Sequence, residues 1–528
     1  MKLKLNIVQL IALGLLVTPV AFTSCSEDAM DEININPNNP TDVNAKFILT
    51  DVITNTAFYN VGSDINTYVS AYVEHEVGTD NQLWDAEHRV SQPTLSSTFE
   101  NPWGNIYASL RDANIVIKKC SVGGVEAGNN TTLGIAQVMA AYNLALLTDM
   151  FGDVPYSESF SPLTNKNPKI DKQEDLYKEV FALLDDAIVN LPKGDAAATG
   201  AMYQQDLLFG GKADKWIKFA YGLKARYEMR LLNVSQDKNA SLARVIEYVD
   251  KSFKSATEEA AFNVYSEQNL NPLFDFQWSR DGLAASKSIA DKFIERNDPR
   301  LERNFTWPQI FNNYVTEQAV DITPGSKTYN LLAVNGENDP LQYHFLTSAF
   351  VYSQTASTQL LSFHEILFLK AEAMQRLGQS GVESVLKSAI QAAIKNSEAS
   401  VNAAFEAPTI LSYGGVIEKS SAITEADVET YFTNNVKSLF EANPLKEIAV
   451  QKYLAFFGAS GESTETYNDI RRWKALGENF IELKNPNKFP VRLPYGNSET
   501  TANPNVQAAF GNGQYVYTDN VWWAGGNR

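Results

Sequence analysis

Leu133-Gly134-Ile135-Ala136-Gln137-Val138-Met139-Ala140-Ala141-Tyr142-Asn143-Leu144-Ala145-Leu146-Leu147-Thr148-Asp149-Met150, closed by Phe151-Gly152-Asp153-Val154-Pro155-Tyr156, is the stretch on which the fold turns. Leu133, Ala136, Val138, Ala140, Ala141, Leu144, Ala145 and Leu147 leave almost no polar face. A helix that is apolar nearly all round must be enclosed by other elements, so this one is predicted to be central. Gly152 can take a positive φ, and Pro155 cannot continue a helix, so the chain turns out here.

Working outward, the same spacing of three and four recurs. One stripe runs through Leu176, Val180, Phe181, Leu184, Ala187, Ile188 and Leu191, ended by Pro192. A second joins Trp216, Phe219, Ala220, Leu223, Tyr227 and Leu231, and a third Leu242, Val245, Ile246, Val249 and Phe253. A further stripe spans Leu360 to Leu377 through His364, Leu367, Phe368, Ala371 and Met374, with Gly378 as its cap. Shorter helices are expected near Val428–Phe440 and Glu447–Phe457. Ala140, Ala141, Ala145, Ala371 and Ala373 let helices approach closely, as paired helices in tetratricopeptide-type arrays do, although the strict 34-residue signature is not readable. Between about residues 255 and 357 the helical period fades into Asn, Asp, Thr, Pro and aromatics, and the last forty or so residues are similar. Loops of that size on a helical scaffold tend to carry function.

Composition bounds the classes. The 528 residues include 44% hydrophobic and 11% aromatic side chains, which excludes wholesale disorder. Gly 29 and Pro 20 exclude a collagen-like chain, and two cysteines cannot build a disulfide framework. A net charge of -18 repels phosphate backbones, so general nucleic-acid binding is not expected.

The N-terminus reads as an address. Lys2 and Lys4 precede a short apolar run, unbroken only from Leu10 to Val17, and then Thr23-Ser24-Cys25. That is the form of a secretory signal and is too short to span a membrane. Small residues before a cysteine resemble the lipobox of bacterial lipoproteins, with Phe22 departing from the usual Leu. Cys25 is thereby expected to carry lipid. The acidic residues after it (Glu27, Asp28, Asp31, Glu32) resemble the surface-export signal of some Gram-negative lipoproteins. Loss of residues 1–24 removes two lysines and no acid, taking the charge from -18 to -20, so attachment is by lipid rather than a basic patch. Cys120, at the end of the Ile115-Val116-Ile117 stretch, is expected to be a buried small hydrophobe.

Catalytic motifs are sparse. The four histidines are His75, His88, His344 and His364; His364-Glu365 lacks the second His of a zinc helix, and His364 sits in an apolar stripe. His75, between Glu74 and Glu76, and His88 are the residues a metal would use, but no metal site is expected. Gly458-Ala459-Ser460-Gly461 is not a nucleophile elbow, and no Gly-rich phosphate loop or dinucleotide fingerprint occurs. No enzyme activity and no cofactor are expected. Aromatic residues in polar loops stand out instead: Trp84 beside Asp80 and Asn81 in the stretch Gly78-Thr79-Asp80-Asn81-Gln82-Leu83-Trp84-Asp85, Trp278 beside Arg280, and Trp307 followed by Tyr314. A sugar ring offers a flat apolar face rimmed by hydroxyls, which an aromatic platform flanked by amides, carboxylates and Arg can hold. These seven residues are the candidate ligand-binding set. For any one Trp the alternative is a plug that seats its own segment on the scaffold.

The motifs, taken in order, resemble the SusD/RagB family of outer-membrane nutrient-binding lipoproteins over nearly the whole chain. They are Cys25 with Asn36-Pro37-Asn38-Asn39-Pro40, Asp112-Ala113-Asn114-Ile115-Val116, and Asp149-Met150-Phe151-Gly152-Asp153-Val154-Pro155-Tyr156. Gly211-Lys212-Ala213-Asp214-Lys215-Trp216 leads on to Leu223-Lys224-Ala225-Arg226, then Asp298-Pro299-Arg300-Leu301 and Phe368-Leu369-Lys370-Ala371-Glu372-Ala373. Gln451-Lys452, Asp469-Ile470-Arg471-Arg472-Trp473, Pro490-Val491-Arg492-Leu493-Pro494-Tyr495 and Trp522-Trp523 complete the series. The C-terminal pieces look closest to the SusD-like branch described as starch-binding and associating with the outer membrane. The resemblance implies a mainly α protein, with tetratricopeptide-like helix pairs forming a right-handed superhelical scaffold and an irregular, loop-rich ligand-facing part. Residues 1–24 would be the signal, 25–41 a tether and 42–528 one domain. Its scaffold would cover about 42–254 and 358–480, its loop-rich parts about 255–357 and 481–528. It further implies a lid on a SusC-type TonB-dependent transporter at the Gram-negative cell surface, which captures oligosaccharides without breaking a bond. A surface glycoside hydrolase and a protein-binding scaffold or adhesin are the competing readings. The motifs themselves read as scaffold: Arg226, Arg230, Arg471 and Arg472 on otherwise apolar helices are expected to form interhelix ion pairs.

Overall fold

The computed structural model describes residues 43–90, 95–161, 164–197, 202–307, 320–337, 344–416 and 421–527, and residues 45–528 form one compact unit. The signal, the tether, Cys25 and Tyr314 lie outside the described residues.

The architecture is mainly helical. Helix Asn130–Phe151 has every residue from Thr131 to Phe151 buried, as its unbroken apolar surface requires. It packs between Glu100–Cys120 and Gln173–Asn190. From there helices pack in sequence order: Gln173–Asn190 on Ala213–Arg230, and that helix on Lys238–Lys251. Lys238–Lys251 in turn meets Phe363–Arg376, which pairs with Val382–Phe405 and with Pro444–Ala455. Among the described helices only Asn130–Phe151 is long and apolar enough to cross a membrane, and its surface is wholly taken up by its neighbours. Cys120 is buried, and burial pushes its thiol up to about 12.

Two expectations need correcting. The stripe drawn from Leu360 begins as a strand, Thr358–Leu361, paired antiparallel with Ala260–Phe262, before helix Phe363–Arg376 starts. Apolar runs this short fit a buried strand as well as a helix, and periodicity cannot separate the two. Val428–Phe440 is a continuous helical stretch from Glu425 to Ala442, but it widens to π-type turns over Phe432–Val436.

The family-like motifs are joined to one another across the core. Asp149 accepts from Arg230 (2.8 Å), from the Tyr177 hydroxyl (2.5 Å) and from the Trp523 indole (2.8 Å). Arg226 grips Glu365 through two bonds, 2.7 and 2.6 Å. Arg472 does the same to Glu372 at 2.7 and 2.8 Å, and Lys452 meets Asp469 at 2.7 Å. Burial opposes charge on Glu372, yet the Arg472 and Arg376 guanidinium groups hold its carboxyl well below the ordinary range. Arg471 differs from its neighbours: it donates to the backbone oxygens of Asp149 (2.9 Å) and Val491 (3.1 Å), and its guanidinium lies over Tyr467 and Trp523. Gly152 has φ 78° and is pressed against the Arg492 guanidinium, which bonds the Phe151 carbonyl. Asp153 then accepts the first backbone N–H of helix Gln173–Asn190 at 2.8 Å and Lys172 at 2.8 Å. Each of these charges is partnered because an unpartnered one in this interior would cost several kcal/mol.

Candidate functional site

Strand Glu76–Gly78 pairs antiparallel with Leu283–Ala285, and the Thr79 N–H extends the ladder to the Gly282 carbonyl at 2.9 Å. This short clasp sets the start of helix Asn81–His88 beside the end of helix Pro272–Arg280. Trp84 and Trp278 were expected in polar loops; both sit on these helices. The helices are only 8 and 9 residues long, too short for a 3.6-residue pattern to be read. Their starts are set locally. The Asp80 carbonyl takes the Leu83 and Trp84 N–H groups at 3.1 Å. Asn271 caps Leu273 at 2.9 Å, ahead of Pro272 at the first helical position.

Between the two helices lies an open cleft of about 640 Å³, lined by Asn81, Gln82, Trp84, Asp85 and Arg280. It shares Asn81, Gln82 and Arg280 with an adjoining cleft of about 530 Å³ that also reaches Asp80, Phe276 and Ser279. Four of the seven candidate residues, Asp80, Asn81, Trp84 and Arg280, thus meet although two hundred positions separate them in sequence. The Trp84 ring stacks on His88 at 4.1 Å, which fixes its plane, and His88 is itself held between the carbonyls of Trp84 (2.7 Å) and Glu337 (2.8 Å). Asp80 accepts from the Asn81 amide at 2.6 Å, and Gln82 accepts from the Tyr68 hydroxyl at 3.3 Å. Arg280 is exposed, lies over the Phe276 ring at 5.9 Å and forms no ion pair among the described residues. Behind it, burial and the nearby Asp80 charge raise the Asp281 carboxyl to about 6.

The other candidates part company. Trp278 leaves the cleft side of its helix, stacks on Phe274 (5.9 Å, 10° between planes) and takes Tyr413 edge-on at 5.3 Å. Trp307 is buried, with 8% of its surface exposed. Sequence reasoning missed Gln82, Phe276 and Tyr413. Gln82 lay within the quoted stretch, and Phe276 stands four residues before Arg280, the spacing of one helix face. No signal joined Tyr413 to Trp278.

His75 and His364 are structural in placement. His75 is buried between the Ser463 hydroxyl (3.0 Å) and the Tyr453 carbonyl (3.2 Å), and burial lowers it to about 3. His364 pairs with Glu462 at 3.0 Å. Among the described residues no cluster of three His, Cys, Asp or Glu side chains is arranged to hold a metal ion. Chemically the cleft offers amide donors and acceptors, carboxylates, one guanidinium and an aromatic edge, the groups that bind hydroxyl-rich molecules.

Residues 37–496 match a SusD-like family model described as starch-binding and associating with the outer membrane. A crystal structure of a SusD/RagB family protein from Bacteroides thetaiotaomicron is 48% identical, with a TM-score of 0.86, covering 92% of this chain and all of that one. A chitin-binding protein shares the fold at 21% identity and TM-score 0.65, covering 91% of this chain and 99% of its own. A SusD homolog from Bacteroides fragilis does so at 18% identity and TM-score 0.64, covering 91% of this chain and 100% of its own. No curated protein matches the chain.

Proposed function

The chain belongs to the SusD-like family, described as starch-binding and associating with the outer membrane, and from that premise we propose that it is a surface lipoprotein that captures oligosaccharides and delivers them to a SusC-type TonB-dependent transporter. In this reading Cys25 carries the lipid, the body stands outside the outer membrane, and no bond of the ligand is broken. The observation that supports it best is the cleft between helices Asn81–His88 and Pro272–Arg280. There Trp84 is held in one plane by His88, with Asn81, Gln82, Asp85 and Arg280 around it. An immobilised ring costs little entropy when a sugar packs on it, and the surrounding amides and charges replace water at the hydroxyls.

Isothermal titration against a panel of neutral oligosaccharides tests the proposal. Trp84→Ala is expected to weaken the bound member by about 1–3 kcal/mol, roughly a 5- to 150-fold rise in Kd. Unchanged affinity in Trp84→Ala and in Arg280→Ala would dispose of this cleft as the site. Product release from the same oligosaccharides would replace capture with hydrolysis. A transporter that copurifies while no glycan binds would leave a protein-binding scaffold. Cys25→Ala is expected to move the protein out of the membrane fraction.

A further inference from the structure

Four helix ends meet at one end of the body. Helix Ala45–Asn55 starts beside the finish of Glu100–Cys120: the Ala45 N–H donates to Glu126 at 2.9 Å, and the Glu126 N–H to the Lys119 carbonyl at 2.8 Å. Helix Asn130–Phe151 also starts here, and the chain leaving Gln173–Asn190 is fastened to it, the Asn130 N–H donating to the Gly194 carbonyl at 3.1 Å.

This end shows apolar side chains to solvent. The turn after Cys120 carries Val122, fully exposed, and Val125, 79% exposed, the two most exposed large hydrophobic side chains among the described residues. Phe47, half exposed, stands in the first turn of Ala45–Asn55, and Val189, 59% exposed, in the last turn of Gln173–Asn190. The turn is tightly built: Gly123 has φ 87°, and a Cβ on Gly124 would lie 2.3 Å from the Lys118 and Lys119 carbonyl oxygens. The two valines are therefore held outward. The charges here also run against those of the chain, whose net charge is -18. Lys46, Lys118 and Lys193 form no ion pair among the described residues; Lys46 lies over the Phe47 ring at 5.1 Å, and Lys193 donates to Asn190 at 2.8 Å. The acids nearest them are turned inward. Glu126 is taken by the Ala45 N–H and by Lys119 at 3.5 Å, and Asp195 by the Thr132 N–H and hydroxyl at 3.0 and 2.9 Å. Asp185 and Asp186 stand a turn farther back, Asp185 paired with Lys224.

Clustered exposed apolar side chains mark an interaction surface, and apolar tips ringed by lysines suit an anionic bilayer. The tips enter the headgroup layer while the ammonium groups face its phosphates. We propose that this end of the helical body is a membrane contact, seated on anionic lipid headgroups through Val122, Val125 and Phe47. The proposal rests on the reading of Cys25 as lipidated and goes beyond it. Residues 25–44 lead from the lipid to Ala45, and 20 residues span at most ~70 Å whatever path they take. The end at which they enter is thus the part of the body that the lipid holds closest. Because the anchor makes the second contact intramolecular, a patch too weak to bind a membrane alone suffices.

Spin labelling of the lipoprotein, purified from the membrane fraction and reconstituted in vesicles of phosphatidylethanolamine with phosphatidylglycerol, tests it. Labels are placed singly by Val122→Cys and, as a control at an exposed position in another part of the body, by Leu439→Cys; the native Cys120 is buried. The label at 122 is expected to be reached by oxygen in preference to a water-soluble nickel chelate, and the label at 439 by the chelate. Lys118→Gln is expected to lower the inserted fraction about fivefold, and vesicles of phosphatidylcholine alone to lower it further. A label at 122 as open to the chelate as the one at 439, or an inserted fraction indifferent to Lys118→Gln and to lipid charge, overturns the proposal. So does a label immobilised by a SusC-type transporter and not by vesicles, which would make the surface a protein-docking face. Failure of the unlabelled protein to stay with the vesicles at all overturns the Cys25 reading, and this proposal with it.

Discussion

Gly152→Ala tests whether the most specific motif of the chain is scaffold. Gly152 has φ 78° and ψ -132°, a region in which a side chain costs about 1–3 kcal/mol. Its Cβ would also overlap the Arg492 guanidinium, lying 2.8 Å from Cζ. Arg492 is fully buried and holds the Phe151 carbonyl, while Leu493 donates to the Met150 carbonyl at 2.8 Å, so the side chain has nowhere to retreat. Overpacking of that kind adds about 1–3 kcal/mol, for a total near 2–6 kcal/mol. Gly194 is the control: φ 76°, ψ 175°, with nothing within 4 Å of a Cβ. Gly194→Ala therefore carries the backbone strain alone, about 1–3 kcal/mol. Equilibrium urea unfolding followed by far-UV circular dichroism measures both. Gly152→Ala should cost at least ~1 kcal/mol more, and that excess should shrink in an Arg492→Ala background, where the obstruction is gone. Equal costs at the two glycines, with no coupling to Arg492, would refute the argument that crowding makes Gly152 obligatory.

The remaining predictions concern buried charge. Arg226→Met leaves Glu365 without its two guanidinium bonds and is expected to cost about 3–5 kcal/mol, whereas adding Glu365→Leu should recover part of the loss; a double variant less stable than the single, by the same urea assay, would contradict this. Burial raises the Glu76 carboxyl to about 8, its Oε1 accepting from Ser348 at 2.6 Å and its Oε2 having no partner. A carboxyl with a raised folded value holds its proton more tightly when folded, so its contribution favours folding at low pH and is lost as pH rises from about 4.5 to about 8. Glu76→Gln should therefore raise the Tm at pH 9 and leave it nearly unchanged at pH 4, and an equal gain at both would show that charge is not involved.

What the sequence made legible was what chemistry forces. An arginine on an apolar helix must find a carboxylate or carbonyl, so Arg226, Arg230 and Arg472 announced their pairs, and Glu365, Asp149 and Glu372 supplied them. Arg471 shows the limit of that inference, because carbonyls, the Asn468 side chain and aromatic faces receive it and it forms no ion pair among the described residues. The central helix was legible because a surface without a polar face has one physical outcome. Trp307 misled for a related reason: a tryptophan in a polar stretch reads alike whether its ring is buried or exposed, and here it is buried.

The cleft was half legible, and the missing half is instructive. Asp80, Asn81, Trp84 and Arg280 were each visible as sugar-compatible side chains, but nothing local joined residue 80 to residue 280. A three-residue strand pair does that, Glu76–Gly78 on Leu283–Ala285, through backbone hydrogen bonds that leave no mark in side-chain pattern. The same clasp leads directly into helix Asn81–His88, whose fourth residue is Trp84. A substitution that breaks the clasp without unfolding the body should weaken glycan binding as Trp84→Ala does, because it parts Asp80, Asn81 and Trp84 from Arg280.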